Sequence, residues 1–215
     1  MAENTIKTYA DMQVKLHLND LPADIAIGDS VAIDTETLGL NPLRDRLCLV
    51  QLTFGDGIVH LVQFDGNNYS APNLSKILTN KKIVKIFHFA RFDVAVLYHY
   101  LGVQTVSVYC TKIASKLTRT YTDRHGLKNL VAELLEINLN KQQQSSDWAA
   151  PKLSEEQKEY ASNDVIYLHQ LKIQLDKMLD REGRWDLAKQ SFKFIMTRAI
   201  LDLKGFDKMD IFSHT

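Results

Sequence analysis

The stretch Val31-Ala-Ile-Asp-Thr-Glu-Thr37 sets two acidic side chains into a segment that otherwise has the composition of a buried β-strand. Asp34 and Glu36 are two residues apart, so on a strand both side chains point to the same face. Two carboxylates in one poorly solvated place repel each other unless protons or cations compensate. We therefore expect a metal site here. The alternative is that both acids lie beyond the sheet, in solvent.

The sequence around this stretch predicts an α/β fold with a mixed five-stranded sheet flanked by helices. The first three strands are joined by short turns, which favours antiparallel neighbours. The last two alternate with helices at 71–78 and 91–101, which favours a parallel portion of the same sheet. The strands are predicted at 31–37, 47–53, 58–64, 83–87 and 106–109.

Beyond Thr111 the pattern is helical almost throughout. Ser154 and Gln157 form a capping-box pattern before a long helix that is predicted to run to about Asp180. The chain shows no internal repeat and no linker rich in Gly, Pro or Ser. We expect one domain over residues 1–215, with a core at about 25–180 and a C-terminal helical extension at about 181–215.

The composition narrows the class of protein. The 215 residues include 26 Lys+Arg, 26 Asp+Glu, 9 Gly and 4 Pro, and 45% are hydrophobic, which excludes a disordered or low-complexity chain. A formal charge of zero argues against wrapping long nucleic acid but leaves a short nucleic-acid substrate open. Two widely separated cysteines and the lack of an apolar run of about eighteen residues predict a cytoplasmic protein outside the membrane.

Two further acids lie on helical stripes that should face the core. Asp93 shares its stripe with Val96, and Asp164 shares one with Leu168. Tyr160 lies one turn before Asp164 on the same face, so a phenol and a carboxylate are presented together. The alternatives are a simple helix-dipole role for Asp93 and a structural Tyr–Asp pair.

Four inward carboxylates, those of Asp34, Glu36, Asp93 and Asp164, match the needs of hard divalent cations such as Mg²⁺ or Mn²⁺. Two such ions about 3.5–4 Å apart can hold the attacking and leaving oxygens of a phosphoryl displacement. They would also concentrate positive charge beside a phosphate in a chain whose formal charge is zero.

Taken together, these residues resemble the three motifs of the four-acid 3′-to-5′ exonuclease superfamily in its tyrosine variant. The motifs are Asp34-Thr-Glu36, His88-Phe-Ala-Arg-Phe-Asp93 and Tyr160-Ala-Ser-Asn-Asp164. The resemblance implies a ribonuclease-H-like sheet, two-metal catalysis and release of nucleoside monophosphates from a 3′ end. Because a phenol is a poor base at neutral pH, Tyr160 is expected to orient the attacking water.

Within that superfamily the chain is similar to ribonuclease D, through Gly126-Leu-Lys-Asn-Leu130 and the segment from Lys141 to Trp148. Its length is closer to that of the short, ribonuclease-D-like diribonucleases. This likeness implies short single-stranded RNA, especially dinucleotides, as substrate. It also implies a homo-oligomer, plausibly an octamer, and the apolar C-terminal pattern from Phe192 to Leu203 favours a covered helix face.

The resemblance and the placement of cationic and amide groups suggest several substrate contacts. In this family a leucine at the position of Leu40 can wedge between the last two bases, and many relatives have Asn where this chain has Phe89. Cations and amides match phosphate oxygens, although only some of the candidates can be right. The predicted substrate-binding residues are Thr35, Leu40, His88, Arg119, Arg124, His125, Lys141 and Gln144, with Lys112 and Lys128 as further phosphate candidates.

Three other functions compete with this interpretation. A DNA or structured-RNA 3′-to-5′ exonuclease would carry the same acids. A non-catalytic RNA-binding module of the same fold is possible, but such a module need not retain four ligands and Tyr160. A glycosidase is improbable, because its two carboxylates must lie across a sugar bond rather than converge on one point.

Overall fold

A computed structural model describes residues 8–139 and 146–214 and contains a six-stranded sheet flanked by helices. The sheet has the spatial order β1-β4-β3-β2-β5-β6. Its central strands are lined by apolar side chains, and every residue of β3 is buried. The strands are β1 (Gln13–Leu18), β2 (Ser30–Thr37), β3 (Leu47–Thr53), β4 (Ile58–Gln63), β5 (Val84–Phe87) and β6 (Val108–Cys110).

The pairing confirms the predicted mixed sheet. β2 pairs antiparallel with β3, and β3 pairs antiparallel with β4. β2 pairs parallel with β5, and β5 pairs parallel with β6. β2 lies between β3 and β5, and its Asp34 and Glu36 pair with β3 beyond the residues, Ser30 to Ala32, that pair with β5.

The prediction of five strands is wrong by one strand, β1, which pairs parallel with β4 in the register Gln13↔Ile58 to Leu18↔Gln63. The alternation Gln-Val-Lys-Leu-His-Leu was a strand pattern, but edge position leaves it half exposed, with Leu16 and Leu18 46% and 69% accessible. Its partner lies more than forty residues away along the chain, so only the tertiary fold reveals the pairing. The sheet thus starts before the predicted core boundary at about residue 25.

Seven α-helices follow or interleave with the strands in the described residues. The predicted long helix after Ser154 is two helices, because the helix breaks at Tyr167, whose φ and ψ are −95° and −9°. The break lets α5 pack on β2 and β3 while α6 packs on α3 and α4. The helices are α1 (Pro72–Thr79), α2 (Ala90–Leu101), α3 (Thr111–Thr118), α4 (Leu127–Leu135), α5 (Glu155–Ile166), α6 (Leu168–Arg181) and α7 (Trp185–Leu201).

The start of α5 follows the predicted capping box. Ser154 Oγ accepts from the Gln157 backbone N–H at 3.2 Å, and Gln157 Oε1 accepts from the Ser154 backbone N–H at 2.9 Å. These reciprocal bonds satisfy donors that the first helical turn leaves unpaired. The cap therefore defines where α5 begins, and with it the height at which Tyr160 and Asp164 leave the helix.

Part of the apolar surface of the C-terminal helix α7 packs against the rest of the chain. Ala188, Phe192, Ile195 and Ala199 repeat at spacings of four, three and four and are buried against neighbouring elements. The Phe192 ring lies 4.7 Å from that of Tyr109, centroid to centroid. Within residues 8–139 and 146–214, none of the helices is both long and apolar enough to cross a membrane.

Candidate active site

Three carboxylates from two elements converge beside the centre of the sheet. β2 presents Asp34 and Glu36 on one face, and α5 brings Asp164 to them, so that one carboxylate oxygen from each lies within 4.8 Å of the others. Among the described residues this is the group of acidic, histidine or cysteine side chains that could hold a metal ion. Like charges so close together call for a compensating cation.

The fourth acid, Asp93, lies beside this group in the first turn of α2. Asp93 is 3% exposed, and the Thr35 hydroxyl donates a hydrogen bond to its Oδ1 at 2.7 Å. Burial raises the pKa of Asp93 to about 7, against the opposing effect of the Thr35 hydrogen bond. Asp93 thus stands outside the 4.8 Å group but within its electrostatic field.

The environment disfavours the charged form of these acids. Burial, followed by the nearby charges of Asp93 and Asp164, raises the pKa of Asp34 well above its ordinary value. Burial and then the Asp164 and Asp93 charges raise the pKa of Glu36 in the same way. Only hydrogen bonds such as that from Gln51 Nε2 to Asp34 Oδ2, at 2.7 Å, oppose the repulsion. The donor set, all hard oxygens in a site with surplus negative charge, fits divalent cations.

Tyr160 stands one helical turn before Asp164 and is half buried against Trp148. The two aromatic rings are 5.9 Å apart at their centroids with an interplanar angle of 46°. Burial, and then the negative charges of Asp164, Glu36 and Asp34, raise the pKa of the Tyr160 phenol far above its usual value. The phenol therefore keeps its proton at neutral pH and can donate a hydrogen bond.

The structure separates the predicted substrate-binding residues into different settings. Leu40 is 88% exposed in the turn that leaves β2. Thr35 is buried, and its hydroxyl is hydrogen-bonded to Asp93. This position favours a role in orienting the Asp93 carboxylate over direct contact with substrate. His88 Nδ1 lies 2.9 Å from Thr111 Oγ1. Lys141 and Gln144 lie outside the described residues.

The basic segment after α3 is divided between buried and exposed cations. The Arg119 side chain is fully buried and pairs with Glu133, and its Nη1 donates to the Arg124 carbonyl at 2.8 Å. This placement argues against a phosphate contact by Arg119 and gives it a structural role in holding the loop. Arg124 and Lys128 are exposed at the surface.

Two further cationic candidates lie near aromatic or hydroxyl partners. His125 Nδ1 lies 2.9 Å from Ser115 Oγ. Burial and then the charges of Arg119 and Lys116 lower the pKa of His125, which favours a neutral ring. Lys112 Nζ lies 4.2 Å from the centre of the Phe89 ring, so this phenylalanine offers the cation an aromatic face.

Sequence reasoning missed two residues of the site. Gln51, which donates to Asp34, could have been noticed as an amide in the otherwise apolar strand β3. Trp148 is 2% exposed, and the surface that it covers belongs to Tyr160. That contact joins residues twelve apart in a loop and a helix, and no local pattern encodes it.

The chain belongs to the 3′-5′ exonuclease family, whose model matches residues 9–180. It is 35% identical to ribonuclease D of Gluconacetobacter diazotrophicus over 156 residues, which are 73% of this chain and 39% of that protein. The chain thus spans about two fifths of the length of this curated relative. The six-stranded α/β architecture is the ribonuclease-H-like fold of these exonucleases.

The chain is also similar, over nearly its whole length, to a solved structure of NrnC, nanoRNase C, from Brucella melitensis bound to pGG. The two are 56% identical with a TM-score of 0.91, and the match covers 95% of this chain and 100% of that one. A second structure of the same protein holds Mg²⁺, at 55% identity and TM-score 0.91, covering 95% of this chain and 100% of that one. Escherichia coli RNase D is more distant, 26% identical with a TM-score of 0.71 over 80% of this chain and 45% of that one.

Proposed function

We propose that this chain is a two-metal-ion 3′-to-5′ exoribonuclease that hydrolyses short RNA to nucleoside 5′-monophosphates, with dinucleotides as its preferred substrate. The observation that carries the proposal is the convergence of Asp34, Glu36 and Asp164 within 4.8 Å, with Asp93 beside them. Buried acids that raise one another's pKa lower the stability of the fold. Such clusters are typical of functional sites. The similar NrnC structures, one bound to pGG and one to Mg²⁺, support this use.

Asp34, Glu36, Asp93 and Asp164 would hold the divalent cations, Mg²⁺ or Mn²⁺. When bound, the cations would lower the pKa of water and balance charge on the scissile phosphate. The donor oxygens are already oriented by the protein, since Gln51 holds Asp34 and Thr35 holds Asp93, each at 2.7 Å. Such preorganisation reduces the rearrangement required during the reaction.

In the hydrolysis, the oxygen of a water molecule forms a bond to phosphorus while the bond from phosphorus to the 3′ oxygen of the preceding nucleotide breaks. The 3′ oxygen leaves with a proton, and the products are a nucleoside 5′-monophosphate and the remaining nucleoside or shortened RNA. Tyr160 keeps its proton and orients the water by hydrogen bonding, since its pKa is raised by burial and the neighbouring acids. We expect Leu40, which is exposed in the turn after β2, to pack against a base.

We include a homo-oligomer, an octamer, and a cytoplasmic location in the proposal. Two apolar residues beyond residue 209 are exposed, Ile211 and Phe212, with Phe212 78% accessible. Contact with another copy of the chain would cover them. Multi-angle light scattering that gave a monomer of 24.6 kDa would refute the oligomer. The bacterial ribonuclease relatives and the two free, buried cysteines are consistent with the cytoplasm.

The deciding experiment compares turnover on RNA from two to about twenty nucleotides with a matching DNA series, in Mg²⁺ or Mn²⁺. We expect the fastest release of nucleoside monophosphate from the dinucleotide, and no release of mononucleotide in EDTA. Faster turnover of longer RNA or of DNA would favour the broader exonuclease alternative. Binding of RNA without any release of mononucleotide would favour the non-catalytic module instead.

A further inference from the structure

A cavity of about 490 Å³ lies beside the first turn of α2, and the C-terminal segment forms one of its walls. The opposite wall consists of Leu40 and the residues that follow it in the turn after β2. Phe89 and Phe92 line the cavity from the start of α2. Asp202, Gly205 and Asp207 close it from the C-terminal side.

The position of the cavity connects it to the four acids. Phe92 directly precedes Asp93 on α2, and Leu40 lies in the turn that follows Glu36. A nucleotide whose phosphate lay at the acids would therefore have this cavity within reach for a base. Aromatic rings and a leucine offer the apolar faces on which nucleobases stack.

The wall formed by residues 202–209, here called the C-terminal wall, is held mainly by charge. Residues 204–209 are exposed, so apolar burial contributes little to their position. Asp202 accepts from Arg91 Nη2 on α2 at 2.7 Å and pairs with Arg198 Nη2 on α7 at 2.8 Å. Its carboxylate thus ties together two helices and the start of the wall.

The same two arginines also hold the backbone of the wall. Arg91 Nη2 donates to the Asp207 carbonyl at 3.0 Å, and Arg198 Nη2 donates to the Phe206 carbonyl at 2.8 Å. Gly205, at φ +88°, makes the turn that brings these carbonyls back towards the arginines. The C-terminal wall lies beyond residue 180, where the match to the exonuclease family model ends.

We propose that Asp202 is a positioning residue that holds the C-terminal wall in place and so shapes the cavity that receives a nucleobase of the short RNA. The inference rests on the proposed function, because it takes RNA as the ligand. Without the carboxylate, the two arginines lose their common anchor and repel each other. The wall then moves away from Phe89 and Phe92, the base loses contacts, and substrate affinity falls while the acids stay as they are.

The test compares Asp202→Asn with Asp186→Asn, a control in the first turn of α7 whose carboxylate is 97% exposed and 3.8 Å from Lys189. Asp202→Asn is expected to raise the KM for an RNA dinucleotide about tenfold and to leave kcat within about twofold. Trypsin should also cut after Lys204 or Lys208 faster in this variant, because the wall is released. Asp186→Asn should match the unaltered protein in all three measurements, and Asp202→Glu should restore part of the affinity.

Unchanged KM and unchanged trypsin cleavage in Asp202→Asn would overturn the inference. A lower kcat at constant KM would overturn it too, since that pattern indicates a loss of active protein. Should Asp202→Asn fail to fold, Arg91→Gln leaves Asp202 paired with Arg198 and should show a smaller KM rise of the same sign. If the unaltered protein cleaves no RNA, the proposed function fails, while the trypsin comparison still decides whether Asp202 holds the wall.

Discussion

The Thr35 hydroxyl donates a hydrogen bond to Asp93 Oδ1 at 2.7 Å, joining β2 to the first turn of α2 across 58 residues of sequence. The bond orients a buried carboxylate and opposes the burial that raises its pKa to about 7. A residue between the two acids of the first motif thus controls the acid of the second. The four acids therefore act as one electrostatic unit, and a change in the charge of one should shift the pKa of the others.

Replacing Thr35 by Val removes the hydrogen bond with little change of shape, so the pKa of Asp93 should rise above about 7. Less Asp93 is then ionised at pH 7, and kcat/KM should fall by about tenfold or more. The loss should shrink as the pH is raised. A pH–rate profile checks this, with Thr35→Ser, which keeps the hydroxyl, as the control. Identical profiles for Thr35→Val and the unaltered protein would contradict it.

Replacing Glu36 by Gln should stabilise the protein without cations and weaken its response to them. Burial and the charges of Asp164 and Asp93 raise the pKa of Glu36, so loss of its charge relieves repulsion in the folded state. In EDTA the free energy of unfolding should therefore rise. Addition of Mg²⁺ should then increase the Tm less than in the unaltered protein.

Thermal melts with and without Mg²⁺ measure both effects. Glu159→Gln is the matched control, because Glu159 lies on the same helix as Asp164 but is exposed. It should change neither the Tm in EDTA nor the shift with Mg²⁺. Destabilisation of Glu36→Gln in EDTA would show that the carboxylate has a stabilising partner in the folded state.

Trp148 should influence turnover through Tyr160, since the two rings pack 5.9 Å apart. Trp148→Phe leaves space beside Tyr160, so kcat should fall with little change in KM. Tyr160→Phe should also lower kcat more than KM. If Trp148 acts through the Tyr160 phenol, adding Trp148→Phe to a Tyr160→Phe variant should lower kcat only slightly further. Steady-state kinetics on the four proteins decide this, and full additivity of the two losses would count against the coupling.

His60 should make the stability of the protein fall in mild acid. Burial and then the charges of His17 and Lys15 lower its pKa to about 4, and its ring nitrogen lies 3.0 Å from that of His17. The unfolded chain, with a histidine pKa of about 6.5, binds more protons between about pH 6.5 and pH 4. The contribution of His60 is therefore present above pH 6.5 and is lost progressively as the pH falls towards 4.

Urea unfolding at pH 7.5 and pH 5.0 tests this contribution. His60→Gln cannot titrate, so its free energy of unfolding should change with pH by up to about 2 kcal/mol less than that of the unaltered protein. His99→Gln, at an exposed ring on α2, should retain the full pH dependence. Equal pH dependence in His60→Gln and the unaltered protein would refute the assignment.

Local periodicity was enough to predict most strands, the paired orientation of Asp34 and Glu36, and the cap at Ser154, because each depends on neighbours within about four residues. The roles assigned to the individual site residues stay predictions until the variants are measured. The edge strand β1 and the break at Tyr167 were not predicted, because each depends on what the segment packs against.

The sequence by itself determined the types of residue in the site and their spacing, hence the family. The tertiary structure decided which polar groups meet: Arg119 turned inward to Glu133 rather than outward, Gln51 placed beside Asp34, and Asp202 between Arg91 and Arg198. Charge and hydrogen bonding act over a few ångströms in space, whereas these partners are separated by up to 111 residues along the chain. Their pairing is a property of the packed fold.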